Sequence, residues 1–183
     1  MFNEHIITKQ AIYTSKIPKI LPIDFKKVKE NISLHHKHNI VKNPSDWSYL
    51  NQYYRVDMEK NISWLSHFII DHIRLQYDMN LIIKDIAALI QNKNEEINFT
   101  DHIDDYDLNE SPDYSCVTTI QKGKSPAFIE FEYQNGRHRH QKFRELLEPN
   151  KIIVFNSNIS HRYSKNLDTK KIINLSFKFQ KFV

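Results

Sequence analysis

The sequence predicts an α+β protein, mainly β, with helices first and a β-sandwich or barrel behind them from about residue 80. Three observations carry this reading. Ile62, Leu65, Phe68, Ile69, Ile73 and Tyr77 recur at three- and four-residue spacings, which places them on one helix face. Beyond them the apolar runs become short and β-branched, at 97–99, 116–120, 127–133, 151–155 and 171–179. Turn-like segments separate these runs at 109–113, 122–126, 134–136, 156–158 and 166–169, the spacing of an antiparallel sandwich or barrel rather than of βαβ units. Finally, the 183 residues include only two glycines, Gly123 and Gly136, both in those turns. No G-x-G-x-x-G and no G-x-x-x-x-G-K-[ST] can be written with two glycines, so Rossmann and P-loop nucleotide sites are excluded.

Taken in order, residues up to about 23 read as an extended lead-in punctuated by Pro18 and Pro22. Asp24 is placed to cap a short helix carrying Phe25, Val28 and Ile32. A polar stretch with His35, His36 and His38 follows as a loop, then a turn at Asn43-Pro44-Ser45. The long helix starts near Asn61. Residues 81–91, LIIKDIAALIQ, are ambiguous, because a short apolar run does not declare its own period. The length suits one domain over 1–183. Residues 1–80 form a helical support region and 81–183 the core. The aromatic WSYLNQYY segment from Trp47 to Tyr54 is expected to pack with the helical layer.

Cys116 is the lone cysteine, so an internal disulfide and a four-cysteine zinc site are impossible, and reducing, cytoplasmic conditions are expected. The apolar stretch 65–73 is broken by Ser66, His67, Asp71 and His72 and cannot span a bilayer. A formal charge of +4 is a weak argument for nucleic acid, and no such partner is expected. Arg137, Arg139, Lys142 and Arg144 are the residues such a role would use.

Ten histidines invite a metal hypothesis. His67 and His72 are five apart and do not share a helix face. His138 and His140 alternate with Arg137 and Arg139, whose charge would repel a cation. His102 and Asp104 stand two apart after a β-like run, and in extended chain such residues point to one side. His161 follows the apolar run 151–155. Two histidines and one carboxylate form the facial triad that holds non-heme Fe(II) and leaves positions open.

On these residues the chain resembles the Fe(II)/2-oxoglutarate-dependent dioxygenases, in particular the prolyl-4-hydroxylase-like branch. That pattern is H-x-D, then a distal His followed closely by a basic residue. Here His102-Ile103-Asp104 is followed by His161, and Lys171 stands ten positions after it. The segments 161–166 and 171–177 resemble the closing strands of that family, and the likeness covers roughly residues 82–180. Ser125-Pro126-Ala127 departs from the Gly-Gly often found at this point.

The resemblance implies a double-stranded β-helix (jelly-roll) core. It implies Fe(II) held by His102, Asp104 and His161, and 2-oxoglutarate as cosubstrate with Lys171 as its carboxylate partner. Lys170 is the second choice for that role, and Arg162 is a supporting cofactor-binding residue. Ascorbate would serve as an auxiliary reductant. The implied reaction hydroxylates an amino acid or other small metabolite, with dioxygen, as 2-oxoglutarate yields succinate and CO2. Asp104 favours hydroxylation over halogenation, because halogenating relatives lack that carboxylate. The alternatives are a protein (prolyl-type) hydroxylase and a non-enzymatic cupin-like binding module.

Overall fold

The computed structural model describes residues 11–39, 53–102, 111–134 and 140–182. The elements in chain order are β1 (Ile12–Lys16), α1 (Phe25–Asn39), β2 (Tyr53–Arg55), α2 (Lys60–Tyr77), β3 (Asn80–Gln91) and β4 (Ile97–Thr100). They continue with β5 (Tyr114–Gln121), β6 (Phe128–Gln134), β7 (His140–Leu146), β8 (Lys151–Asn156), β9 (Ser160–Tyr163) and β10 (Ile172–Phe182). A six-stranded sheet runs β1-β8-β5-β10-β3-β2 and faces a four-stranded sheet, β4-β9-β6-β7. All pairings between these strands are antiparallel, so the core is the jelly-roll sandwich expected, with two helices against it.

The helices form where the pattern places them. The Asp24 carboxylate accepts from the Lys26 and Lys27 amides at 3.0 and 3.2 Å, taking up two otherwise orphaned donors of the first turn. Asn61 Oδ1 accepts from the Asp24 amide at 3.0 Å and joins the starts of the two helices. In α2 the Glu59 carboxylate caps the Ile62 amide at 3.2 Å. The helix ends on Asp78 in left-handed backbone, φ 51°, its N–H bonding the Arg74 carbonyl. Ile62, Leu65, Ile69 and Ile73 are buried, each contributing about 1.5–3 kcal/mol of apolar transfer. Among the described residues no helix is long and apolar enough to cross a membrane.

Two segments depart from the expectations. The stretch with His35, His36 and His38 is not a loop: α1 runs on through Asn39. A run of polar residues need not end a helix, which requires only one apolar stripe along its length. The ambiguous segment 81–91 is strand β3, paired with β10 from Asn80 to Gln91. It lacks alternation because both faces are covered. Ile86, Ala88 and Ile90 join the cluster under the helices, while Leu89 joins the cluster between the sheets. The turn at 43–45, most of 47–54 and Gly136 lie outside the described residues.

Strand β10 is central and divides its side chains by parity. Ile173, Leu175, Phe177 and Phe179 pack toward the helices, and Ile172 packs between the sheets. By the period of two, Asn174, Ser176 and Lys178 share the inter-sheet face with Ile172.

Candidate active site

The space between the sheets holds two histidines. On β9, His161 and Tyr163 are buried while Ser160 and Arg162 alternate outward. His161 is fully buried, with the rings of Phe155 and Phe131 at centroid distances of 4.8 and 6.2 Å. Its Nδ1–H donates to the Ile159 carbonyl at 3.1 Å. A carbonyl only accepts, so the proton sits on Nδ1 and Nε2 keeps its lone pair. Nε2 is buried and makes no hydrogen bond among the described residues.

His102 lies just past the end of β4 and is also buried. Its amide donates to the Ser157 carbonyl at 2.9 Å, and Ser157 is itself tied down. The Ser157 amide bonds the Asp113 carbonyl at 3.0 Å, and its hydroxyl pairs with Ser115 Oγ at 2.9 Å. The two imidazole centroids stand 4.9 Å apart, a separation at which both rings can reach one ion. Burial pushes the His161 pKa down to about 4, Lys178 adding to the fall against the Ile159 bond. Burial, then His161 and Lys178, hold His102 well below the usual range. Both rings are therefore neutral near pH 7, the form that ligates a metal.

The facing sheet supplies a polar file. Asn174 is fully buried and accepts from Thr119 Oγ1 at 2.8 Å through Oδ1, and its Nδ2 has no hydrogen-bond partner among the described residues. Ser176 Oγ is likewise buried and without a partner among the described residues. At the end of the file lies Lys178, 7% exposed, opposite Ser115 on β5 and Asp85 on β3. Ser115 in turn lies opposite Phe155, whose ring packs on His161. Lys178 thus stands at the level of the histidines, across the barrel. Burial pulls its ammonium down to about 7 against the opposing field of Asp85. At the far end Gln91 donates to the Ser164 carbonyl at 3.2 Å, and its Oε1 is unbonded among the described residues.

Of the residues singled out in the sequence, His102 and His161 are brought together, and Asp104 lies outside the described residues. Among the described residues no group of three or more His, Cys, Asp and Glu gathers for a metal. Lys171 and Lys170 are exposed just ahead of β10, and the Lys171 backbone carbonyl accepts from Gln121 Nε2 at 3.1 Å. Arg162 is on the outer face of the small sheet, bonded to Glu130 at 2.7 Å. Arg162 alternates with His161 along β9 and so lies on the other face of the strand. Lys178 was not singled out, although the alternation Asn174, Ser176, Lys178 against Leu175, Phe177, Phe179 is the signal that finds it. A polar file on a strand covered on both faces lines an internal space.

Solved structures share this fold. A non-heme alpha-ketoglutarate-dependent carbocyclase, SnoK from nogalamycin biosynthesis, aligns with 93% of this chain and 79% of its own, at TM-score 0.65 and 8% identity. HygX from Streptomyces hygroscopicus, with nickel and 2-oxoglutarate bound, aligns over 93% and 83% at TM-score 0.63 and 9% identity. A Pseudomonas putida prolyl-4-hydroxylase aligns over 95% and 94% at TM-score 0.56 and 11% identity. No family model matches the chain, and no curated protein matches it in sequence. The chain therefore has the double-stranded β-helix fold of the non-heme 2-oxoglutarate oxygenases.

Proposed function

We propose that this protein is an Fe(II)/2-oxoglutarate-dependent oxygenase that hydroxylates an amino acid or another small metabolite. The observation that carries the reading is the pair His102 and His161, buried and neutral inside the sandwich. The bare Nε2 of His161 is fixed toward a ligand by the Ile159 carbonyl on the opposite ring nitrogen. A neutral imidazole oriented in this way, beside a second one, fits a divalent cation. Asp104, two residues past His102, would complete the ligand set.

Iron bound there would supply the oxidation that couples decarboxylation of 2-oxoglutarate to hydroxylation of a substrate by dioxygen. The chain's own part is to hold the ring orientations, keep the space between the sheets dry with Phe131, Phe155 and Ile129, and present donors to a carboxylate. A small substrate is favoured by the helical region, whose apolar residues pack on the outer face of the large sheet, away from the histidines. Anaerobic titration of the purified protein with Fe(II) and 2-oxoglutarate tests the class. Binding of both, with slow succinate formation once air is admitted, is the expected result. Failure to bind either would leave the fold as a non-enzymatic module. Succinate release stimulated by free amino acids and not by prolyl peptides would separate the small-substrate reading from a protein hydroxylase.

A further inference from the structure

We infer that Ser157, through the bond of its hydroxyl to Ser115, is a positioning residue that sets where His102 stands relative to His161. The inference rests on the proposed oxygenase function, in which both histidines hold the metal, and it concerns what holds the histidines. Ser157 lies in the turn between β8 and β9, which closes with the Ile159 amide on the Asn156 carbonyl at 3.0 Å. One turn thereby serves both rings. The Ser157 carbonyl accepts from the His102 amide at 2.9 Å, and the Ile159 carbonyl accepts from the His161 ring at 3.1 Å.

A pair of hydroxyls ties this turn to the large sheet. Ser157 Oγ and Ser115 Oγ stand 2.9 Å apart, and both residues are fully buried. Ser115 belongs to β5, which is paired along both edges, with β10 and with β8, so the tie ends on a rigid part of the sheet. The Ser157 amide adds a bond to the Asp113 carbonyl at 3.0 Å, and the Asp113 amide donates to the Phe179 carbonyl at 2.9 Å. These main-chain bonds survive substitution, so the hydroxyl pair is the part that can be removed by itself. A turn that only reversed the chain would gain little from burying two hydroxyls, whose desolvation offsets most of what their mutual bond contributes. Its effect is on direction. The two rings are 4.9 Å apart, and a shift of about 0.5 Å between them changes how both meet one ion.

The test measures three quantities on the full chain: Co(II) affinity by calorimetry, the visible absorption of the Co(II) form, and the urea midpoint without metal. Ser157→Ala and Ser115→Ala should each weaken Co(II) binding about tenfold and shift the Co(II) bands. Each strands the other hydroxyl in the interior, so each also lowers the midpoint. Removing both hydroxyls lifts that penalty. The double variant should therefore regain stability over either single one, while its affinity stays about tenfold below wild type. Thr118→Val alters an equally buried hydroxyl of β5 on the helix side, the face of Cys116, and should change neither affinity nor bands. Ser115→Ala keeps the comparison open if Ser157→Ala does not fold. Wild-type affinity in the single variants, or an affinity that recovers with stability in the double variant, overturns the inference and leaves the oxygenase reading intact. Absence of Co(II) binding by the wild type would instead sink that reading and the inference with it.

Discussion

The His161 Nδ1–H donates to the carbonyl of Ile159, two residues earlier, at 3.1 Å. That bond fixes both the tautomer and the direction of the opposite nitrogen, and it sits on rigid backbone. The Ile159 amide closes its own turn onto the Asn156 carbonyl at 3.0 Å. His161 is therefore oriented before any ligand arrives, which reduces what binding must order.

Replacing either histidine should consequently cost the metal and leave the fold. His102→Ala and His161→Ala are each expected to weaken Fe(II) binding by at least about tenfold to a hundredfold and to abolish succinate formation. Asp104→Ala should do the same. His67→Ala, whose ring is exposed and donates to the Ser63 carbonyl on α2, should change neither. Succinate formation retained in Asp104→Ala would remove Asp104 from the ligand set.

The stability of the metal-free protein should rise with pH in acid. The folded pKa of His161 is about 4 against an ordinary 6.5, so between those values the unfolded chain binds the extra proton. Its contribution is fully present above pH 6.5 and is lost as pH falls toward 4, about 3 kcal/mol in all. His102 is depressed in the same direction and adds to the slope. Lys178, at about 7 against 10.5, continues the rise above neutrality. Urea midpoints taken from pH 4.5 to 7 (about half-unit steps) should climb in wild type and flatten in His161→Gln. A falling midpoint over that range would contradict the burial of neutral imidazoles.

Gly123 is fixed by a close approach. A Cβ there would run into the Asp168 carboxylate and meet Asp168 Cβ at 2.5 Å, and Asp168 holds the Ser125 amide at 2.8 Å. Gly123→Ala should destabilise by about 1–3 kcal/mol. Adding Asp168→Ala should cost less than the sum of the two single changes, since both break the same clip. Denaturant midpoints of the four-member cycle give the coupling directly.

Arg162 belongs to a different assembly from the histidine it follows. Burial alone would raise the Glu130 carboxyl, but Arg144, Arg162 and Lys142 outweigh it and hold the pKa below its ordinary value. Arg162 also lies over the Phe99 ring at 4.9 Å. Arg162→Ala should lower stability by about 1 kcal/mol or less, as a half-exposed ion pair does. It should leave 2-oxoglutarate affinity unchanged. A tenfold loss of affinity would return Arg162 to the site.

Much of the layout is legible from pattern alone: the stripe on α2, the cap at Asp24, the short β-branched runs and the pair His102 and His161. The strands that the apolar pattern misses are β1, β2, β7 and β9, the last of them noticed only through the family resemblance. In His140–Leu146 charged residues face solvent at a sheet edge, and in Ser160–Tyr163 only four residues are extended, so neither forms an apolar run. The lysine was harder. Which side of β10 faces the other sheet is set by register, and a shift of one residue inverts it, so the sequence alone does not place Lys178 on the inward file. Lys178 sits between Phe177 and Phe179 and reads as a solvated interruption until the strand is known to be covered on both sides.

Strand β10 is paired along both edges, with β3 and with β5, so its amides should be among the last to exchange with deuterium. Ser176 and Asn174 are carried on that strand, and among the described residues their Oγ and Nδ2 have unmet hydrogen-bonding capacity. A ligand that binds the folded chain through those groups would stabilise it by RT ln(1 + [L]/Kd), about 2.7 kcal/mol at a hundredfold excess over Kd. Occupancy would then be felt as slower global opening rather than as local closure, and resistance to unfolding would track the concentration of that ligand.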